Sequence, residues 1–155
     1  MVDTLRLLLG SLITVIGTLV IPSTSFADSP RDAMEVFGLL GTWSNDCATT
    51  PAKGGRDVAR VTFAAPRFFG EATLTEVFYM NKGVIKLHMK ITSAVRVTDE
   101  KIKLTVVIID QTANDEPMNA FDARPVEFPI SKIGNKLQTR FFQATTDTVL
   151  EKCLN

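Results

Sequence analysis

The sequence predicts an all-β domain, an antiparallel up-and-down barrel of about eight strands preceded by one short helix, with a β-sandwich as the alternative arrangement. Three observations carry this expectation. From Gly41 onward no helical period persists, and short strand-like runs are separated by Gly, Asn, Asp and Pro clusters. One of those runs keeps a single alternating phase for 14 positions, from Ile85 to Thr98, with Ser93 on the mainly apolar side and Ala94 on the mainly polar one. Ahead of them, Ser29-Pro30-Arg31-Asp32 has the form of a helix start, with a capping serine, a proline at the first helical position and an acid three places on.

Residues 1–27 stand apart from this domain. Arg6 precedes residues 7–21, which carry no charge, and Ser25-Phe26-Ala27 follows with the small-x-small pattern of a cleavage site. That is the layout of a secretory signal peptide. The 15 apolar-rich residues fall short of the roughly 20 that a membrane-spanning helix needs. Cleavage is therefore expected in preference to a retained anchor, leaving residues 28–155 as one domain in the periplasm or outside the cell. Asp28 stands where a lipid anchor would require cysteine.

The helix is expected to run through Ala33, Met34, Val36, Phe37 and Leu40 and to stop at Gly41. At two to three turns it could not stand alone in water, so its apolar residues must pack on the strands. The strand-like segments are 42–47, 57–65, 71–80, 84–97, 101–111, 124–130, 136–144 and 147–153. In the fourth, Ile85, Leu87, Met89, Ile91, Val95 and Val97 share one phase. In the fifth, Ile102, Leu104, Val106 and Ile108 share another. A two-residue turn at Asp99-Glu100 would set Val97 opposite Ile102, Val95 opposite Leu104 and Ile91 opposite Ile108, apolar against apolar throughout. Val107 and Ile109 break the polar face of this hairpin, and the helix is the expected cover. Segment 71–80 has apolar residues on both faces and its register stays open, while 112–125 reads as one long polar loop.

The chain has 17 basic and 17 acidic residues, and loss of the leader removes one of each, Arg6 and Asp3. A neutral protein lacks the positive field that drives nucleic-acid binding, so no nucleic-acid partner is expected. Two cysteines in an exported chain suggest one disulfide, Cys47–Cys153, over free or metal-binding thiols. Closing a loop of about a hundred residues is worth roughly 4–5 kcal/mol in the chain-entropy model.

Little in the sequence points to catalysis, and no enzyme, cofactor or metal is expected. His88 is the single histidine and lies between Lys86 and Lys90 on a polar strand face. No nucleophile elbow, P-loop or dinucleotide fingerprint occurs. The run Asn114-Asp115-Glu116 lacks the spacing of a calcium loop. Aromatic pairs are more suggestive. In Phe68-Phe69 and Phe141-Phe142 one ring of each pair must face away from the core or toward a cavity.

Gly41-x-Trp43 after a short helix, followed by eight strand-like runs, resembles the calycin group: lipocalins, avidins and the small bacterial barrel inhibitors of secreted metalloproteases. "LLGTWSNDC" together with the near-terminal "EKC" is also similar to small secreted proteins of alphaproteobacteria. The calycin resemblance implies that Gly41 and Trp43 close the barrel base, with a basic residue of a late strand stacked on the indole. Arg140 is the first candidate for that residue and Lys152 the second. It also implies a first loop across the mouth, which residues 48–56 could supply.

Two functions are expected from these features. The first is a binding protein holding a small apolar ligand inside the barrel, with Leu87, Met89 and Leu104 on the inward stripe and Phe68 and Phe69 at the mouth. The alternative is a module that binds an exported protein, such as a protease, through residues 28–32 and the loops around Lys53 and Asn114.

Overall fold

The computed structural model describes residues 29–48, 57–68, 70–81, 83–118, 124–141 and 144–154. The leader expected at 1–27, Phe69 and Phe142 lie outside the described residues, as does nearly all of the 48–56 loop. Helix α1 spans Pro30–Phe37. Among the described residues nine strands follow: β1 Gly41–Ser44, β2 Val58–Ala64, β3 Thr73–Met80, β4 Gly83–Thr98, β5 Lys101–Ala113, β6 Glu116–Pro117, β7 Val126–Ile133, β8 Lys136–Thr139 and β9 Thr148–Lys152.

The strands pair antiparallel in the order β4-β3-β2-β1-β9-β8-β7-β5, and β4 also pairs with β5. That last pairing closes eight strands into an up-and-down barrel and sets the sandwich aside. β6 is a two-residue addition to the margin of β5 after a tight Asn114-Asp115 turn, so the expected loop at 112–125 begins as a small hairpin. Alternate connections fall at opposite ends. The base carries α1, the β2–β3, β4–β5 and β7–β8 turns and the exit from β9. The mouth carries the β1–β2, β3–β4, β5–β7 and β8–β9 connections.

Helix α1 starts as its sequence dictates. The Ser29 hydroxyl accepts from the Asp32 N–H at 3.2 Å and donates to the Asp32 carboxylate, with Pro30 in the first turn. It stops three residues earlier than expected, at Gly38, whose left-handed φ of 75° closes the last turn while its N–H bonds the Glu35 carbonyl. Ala33, Met34, Phe37 and Leu39 enter the same core as the inward side chains of the strands. The helix thus stoppers the base, and Val107 and Ile109 stay on the outer wall without it; Ile109 is well exposed.

The long hairpin departs from the register expected of it. Met89 faces Ile108, Ile91 faces Val106, Ala94 faces Leu104 and Arg96 faces Ile102. Three bulges, at Ile91/Ser93 and Arg96/Thr98 and again at His88/Met89, shift the pairing. Each inserts an unmatched residue, and an unmatched residue exchanges the two faces of a strand. Leu87, Met89 and Ile91 therefore point inward and Ala94 takes over the inner phase, while Val95 and Val97 are turned to solvent.

Candidate functional site

At the base, Trp43 is buried and its indole N–H donates to the Leu39 carbonyl at 2.8 Å, which satisfies the one polar group the ring carries. The cation over its ring is Lys152, with Nζ 5.4 Å from the centroid. Arg140 is not that cation; it lies past the end of β8 at the mouth and pairs with Asp147 at 2.9 Å. The reason is register. Lys152 is the direct cross-strand partner of Trp43, whereas β8 is one strand further round the barrel. Gly41 has a φ of 115°, and a Cβ there would come within 3.4 Å of the Lys152 Cε. Glycine at 41 therefore serves the backbone turn into β1, and the lysine stem lies in ordinary contact range beside it. Lys132 sits 4.3 Å above the Phe37 ring, so α1 is held by the same kind of contact.

Cys47 and Cys153 form the expected disulfide, with Cα atoms 5.4 Å apart. After Ser44 the chain reverses along the outer wall, and Cys153 extends the pairing of β9 through its N–H to the Thr42 carbonyl at 2.9 Å. The bridge thus staples the first strand to the last, at the seam of β1 and β9.

The interior is filled. Leu87, Met89 and Leu104, expected to line a ligand cavity, are buried against Val61, Phe63, Leu74, Ile91 and Ile108 in one continuous core. Eight strands enclose about the volume that their inward side chains occupy, so no ligand-sized space need remain at the axis. Phe68 lies at the base rather than the mouth, on the β2–β3 connection, and its ring is 88% exposed. Of the residues assigned to a ligand by sequence, Leu87, Met89 and Leu104 meet in the core, Phe68 stands apart from them at the base, and Phe69 lies outside the described residues. A charged residue interrupts the apolar lining: Glu76 on β3 is fully buried, with Val61 and Leu87 as its cross-strand partners.

Open space lies at the mouth instead, in the wall between β7 and β8. β7 pairs with β5 from Val126 to Ser131, but with β8 only from Ile130 to Ile133. The next pair would set Pro129 against Arg140, and proline has no N–H to give the ladder. The Thr139 hydroxyl donates to the Pro129 carbonyl at 3.0 Å in its place, and the two strands part beyond it. The gap is a cleft of about 560 Å³. Val126, Phe128, Phe141 and Ala144 give it an apolar floor, and Glu127, Gln138, Arg140 and Asp147 a polar rim. A second cleft of about 430 Å³ lies on the other side of Phe141 and Ala144, against Ala59, Phe78 and Tyr79. Phe141 divides the two. It is buried, and its ring meets Phe78 edge-on with centroids 5.0 Å apart. Sequence reasoning marked the Phe141-Phe142 pair but not this cleft, because the gap arises from the place where β8 stops and not from any motif.

The remaining polar features are structural in kind. His88 lies on the outer wall with Nδ1 3.0 Å from the Thr75 hydroxyl. Asn114 locks the β3–β4 turn, its side-chain oxygen accepting from the Val84 N–H at 2.9 Å. The neighbouring Asp115 bonds Lys86 at 2.6 Å, and this hydrogen bond, with the Coulomb attraction second, raises the lysine pKa above its ordinary value. Among the described residues no helix is long and apolar enough to cross a membrane.

No family model, curated protein or solved structure was found to match the chain.

Proposed function

We propose that the protein is an exported binding protein that takes a small, largely apolar molecule into the cleft between β7 and β8, not into the barrel axis. The observation that carries this reading is the cleft itself, about 560 Å³ with an apolar floor and a polar rim. That size and that division of chemistry are characteristic of small-molecule sites, where apolar contact supplies affinity and a few polar groups set orientation. Export is supported by the charge-free residues 7–21 and by the Cys47–Cys153 bridge. Gly41-x-Trp43 at the closed base, capped by a late-strand cation, supports a lipocalin-like ancestry for the barrel. The protein-binding alternative would use residues 28–32 as an arm, but Pro30–Phe37 is folded as α1 and its first turn is engaged at the base. Arg31 bonds the Ala65 carbonyl there, which favours the cleft.

The test uses Ala144, which lines both clefts. Native mass spectrometry of the protein released by its host should show a bound small molecule, and Ala144→Trp, which fills the space, should abolish that load while far-UV circular dichroism stays unchanged. An unloaded wild-type protein, or an equal load on the variant, would overturn the proposal.

A further inference from the structure

The cleft between β7 and β8 is bounded by an edge of the sheet as well as by side chains. Val126, Glu127, Phe128 and Pro129 all line it, although consecutive strand residues turn their side chains to opposite faces. Four in a row border one space because the backbone edge itself faces it. Along an antiparallel strand the N–H and C=O of one residue point the same way, and the direction alternates from residue to residue. The Lys132 N–H bonds the Glu100 carbonyl on the β5 side of β7, and the Pro129 carbonyl accepts from Thr139 on the β8 side. Even-numbered residues of β7 therefore face β5, and odd-numbered ones face β8. Ser131 and Ile133 pair there with Gln138 and Lys136, and Pro129 has the Thr139 hydroxyl. Glu127 comes next, but β8 has ended at Thr139. Past it the chain turns back, with the Ala144 N–H bonding the Phe141 carbonyl at 2.9 Å. The Glu127 N–H and C=O thus face the cleft with no ladder partner among the described residues. Its carboxylate is engaged on the outer wall, with Lys103 at 2.8 Å.

We infer that the ligand of this cleft is a short peptide in extended form, which takes the place that β8 vacates and exchanges two hydrogen bonds with Glu127. The inference rests on the cleft reading proposed above and names the class of molecule. An N–H and a C=O left open on one edge residue complement the C=O and N–H of one residue of an antiparallel partner, and sheets recruit peptides by such edges. A bare hydrocarbon would strip water from both groups and give neither a partner, at a cost that opposes its apolar gain. The recognised pair is single, because Pro125 and Pro129, two residues to either side, have no N–H to offer. The pleat then sets the side-chain pattern. Glu127 points outward and Phe128 inward. The ligand residue paired with Glu127 therefore turns its side chain outward, and the residues on either side turn theirs inward over Val126, Phe128 and Phe141. The segment is apolar at alternate positions, with a polar residue between.

Isothermal titration calorimetry on the exported, disulfide-bonded protein tests this with two probes. One is acetyl-leucyl-threonyl-leucine methylamide, and the other is its analogue with an ester oxygen in place of the threonine N–H. The peptide should bind, and the ester about tenfold more weakly, since it cannot donate to the Glu127 carbonyl. Glu127→Pro removes the one N–H that positions 125, 127 and 129 offer, and should weaken peptide binding by about the same factor. Glu127→Ala keeps that N–H and loses only the Lys103 pair, so it should bind as the wild-type protein does. Proline is tolerated on an edge where its N–H would bond nothing, which circular dichroism would check, and the ester comparison needs no variant. Equal affinities for peptide and ester, no binding of either, or peptide binding unchanged by Glu127→Pro overturns the inference. Peptide binding that persists in Ala144→Trp does so too, because the peptide would then lie elsewhere. The cleft reading is judged separately: a native load that Ala144→Trp abolishes, together with indifference to the ester, keeps the cleft and removes the peptide.

Discussion

At the base, four independent devices converge within a few residues of the chain: α1 packed into the core, Trp43 bonded to Leu39, Lys152 over the indole, and the disulfide at the seam of β1 and β9. At the mouth, the corresponding closure among the described residues is one aromatic ring. Phe141 rests on Phe78, with open clefts on two sides and the surface pair Arg140–Asp147 beside it. An end closed by several contacts stays closed when one of them is lost, even where that loss costs stability. An end closed by one ring holds its shape only as long as that ring stays in place. Stability belongs to the first and opening to the second, and loosely secured elements are the ones from which binding sites are commonly drawn.

The difference can be tested by removing comparable side chains from the two ends. Trp43→Ala should cost about 3–5 kcal/mol, because a large ring leaves a void in a core that cannot collapse around α1. Phe141→Ala should cost no more than about 2 kcal/mol, since its surroundings already communicate with solvent, and should join the two clefts into one. Urea unfolding midpoints would rank the pair; equal losses would show that the mouth is as firmly closed as the base.

Removing the staple comes next. Replacing both Cys47 and Cys153 with serine should lower stability by about 2–5 kcal/mol without altering the β spectrum of the folded protein. The loss should fall mainly on the β1–β9 seam, where hydrogen exchange at Thr42 and Cys153 should accelerate more than at Phe128.

A smaller effect tests why the GxW tripeptide has its form. Gly41→Ala should cost about 1–3 kcal/mol, from the strained φ of 115°. Lys152→Met keeps most of the stem and removes the charge, so only the cation–π part, about 0.5–1 kcal/mol, should be lost. A larger loss for Lys152→Met than for Gly41→Ala would mean that the lysine does more than cover the indole.

The smallest effect is at the mouth, where Lys86 and Asp115 are both on the surface. The lysine pKa is raised above 10.5 in the folded protein, chiefly by its hydrogen bond to Asp115. Its contribution to stability is therefore complete below the unfolded value and is lost as pH climbs through the folded one. Asp115→Asn should remove this alkaline dependence and leave stability at neutral pH nearly unchanged, as is usual for an exposed pair. Thermal melts at pH 7 and pH 11 would show it.

Much of the barrel was legible in the chain. The capped start at Ser29, the turn at Asp99-Glu100 and the pairing of Cys47 with Cys153 all depend on local chemistry or on a count of two, and each stands where the residues put it. The 14-residue alternation proposed one uninterrupted face, and the bulges near Thr92 and Val97 divided it. Neither position carries the glycine that often marks a bulge, so nothing local announces it. Val95 and Val97 read as core for that reason and belong to the exposed base. Glu76 is the converse case: a carboxyl group in a run with apolar residues on both faces gives no sign of which face it occupies until β2 and β4 are in place.

By itself, then, the sequence determined the class of fold, the short helix, the hairpin turns and the covalent seam, because each follows from the periodicity, backbone preference or reactivity of neighbouring residues. Only the tertiary structure decided which cation covers Trp43, that the axis is filled, and that the space for a ligand lies where β8 parts from β7. These depend on register and on the closure of eight strands, and a shift of one residue between strands more than a hundred positions apart moves a side chain from core to surface without changing any local signal.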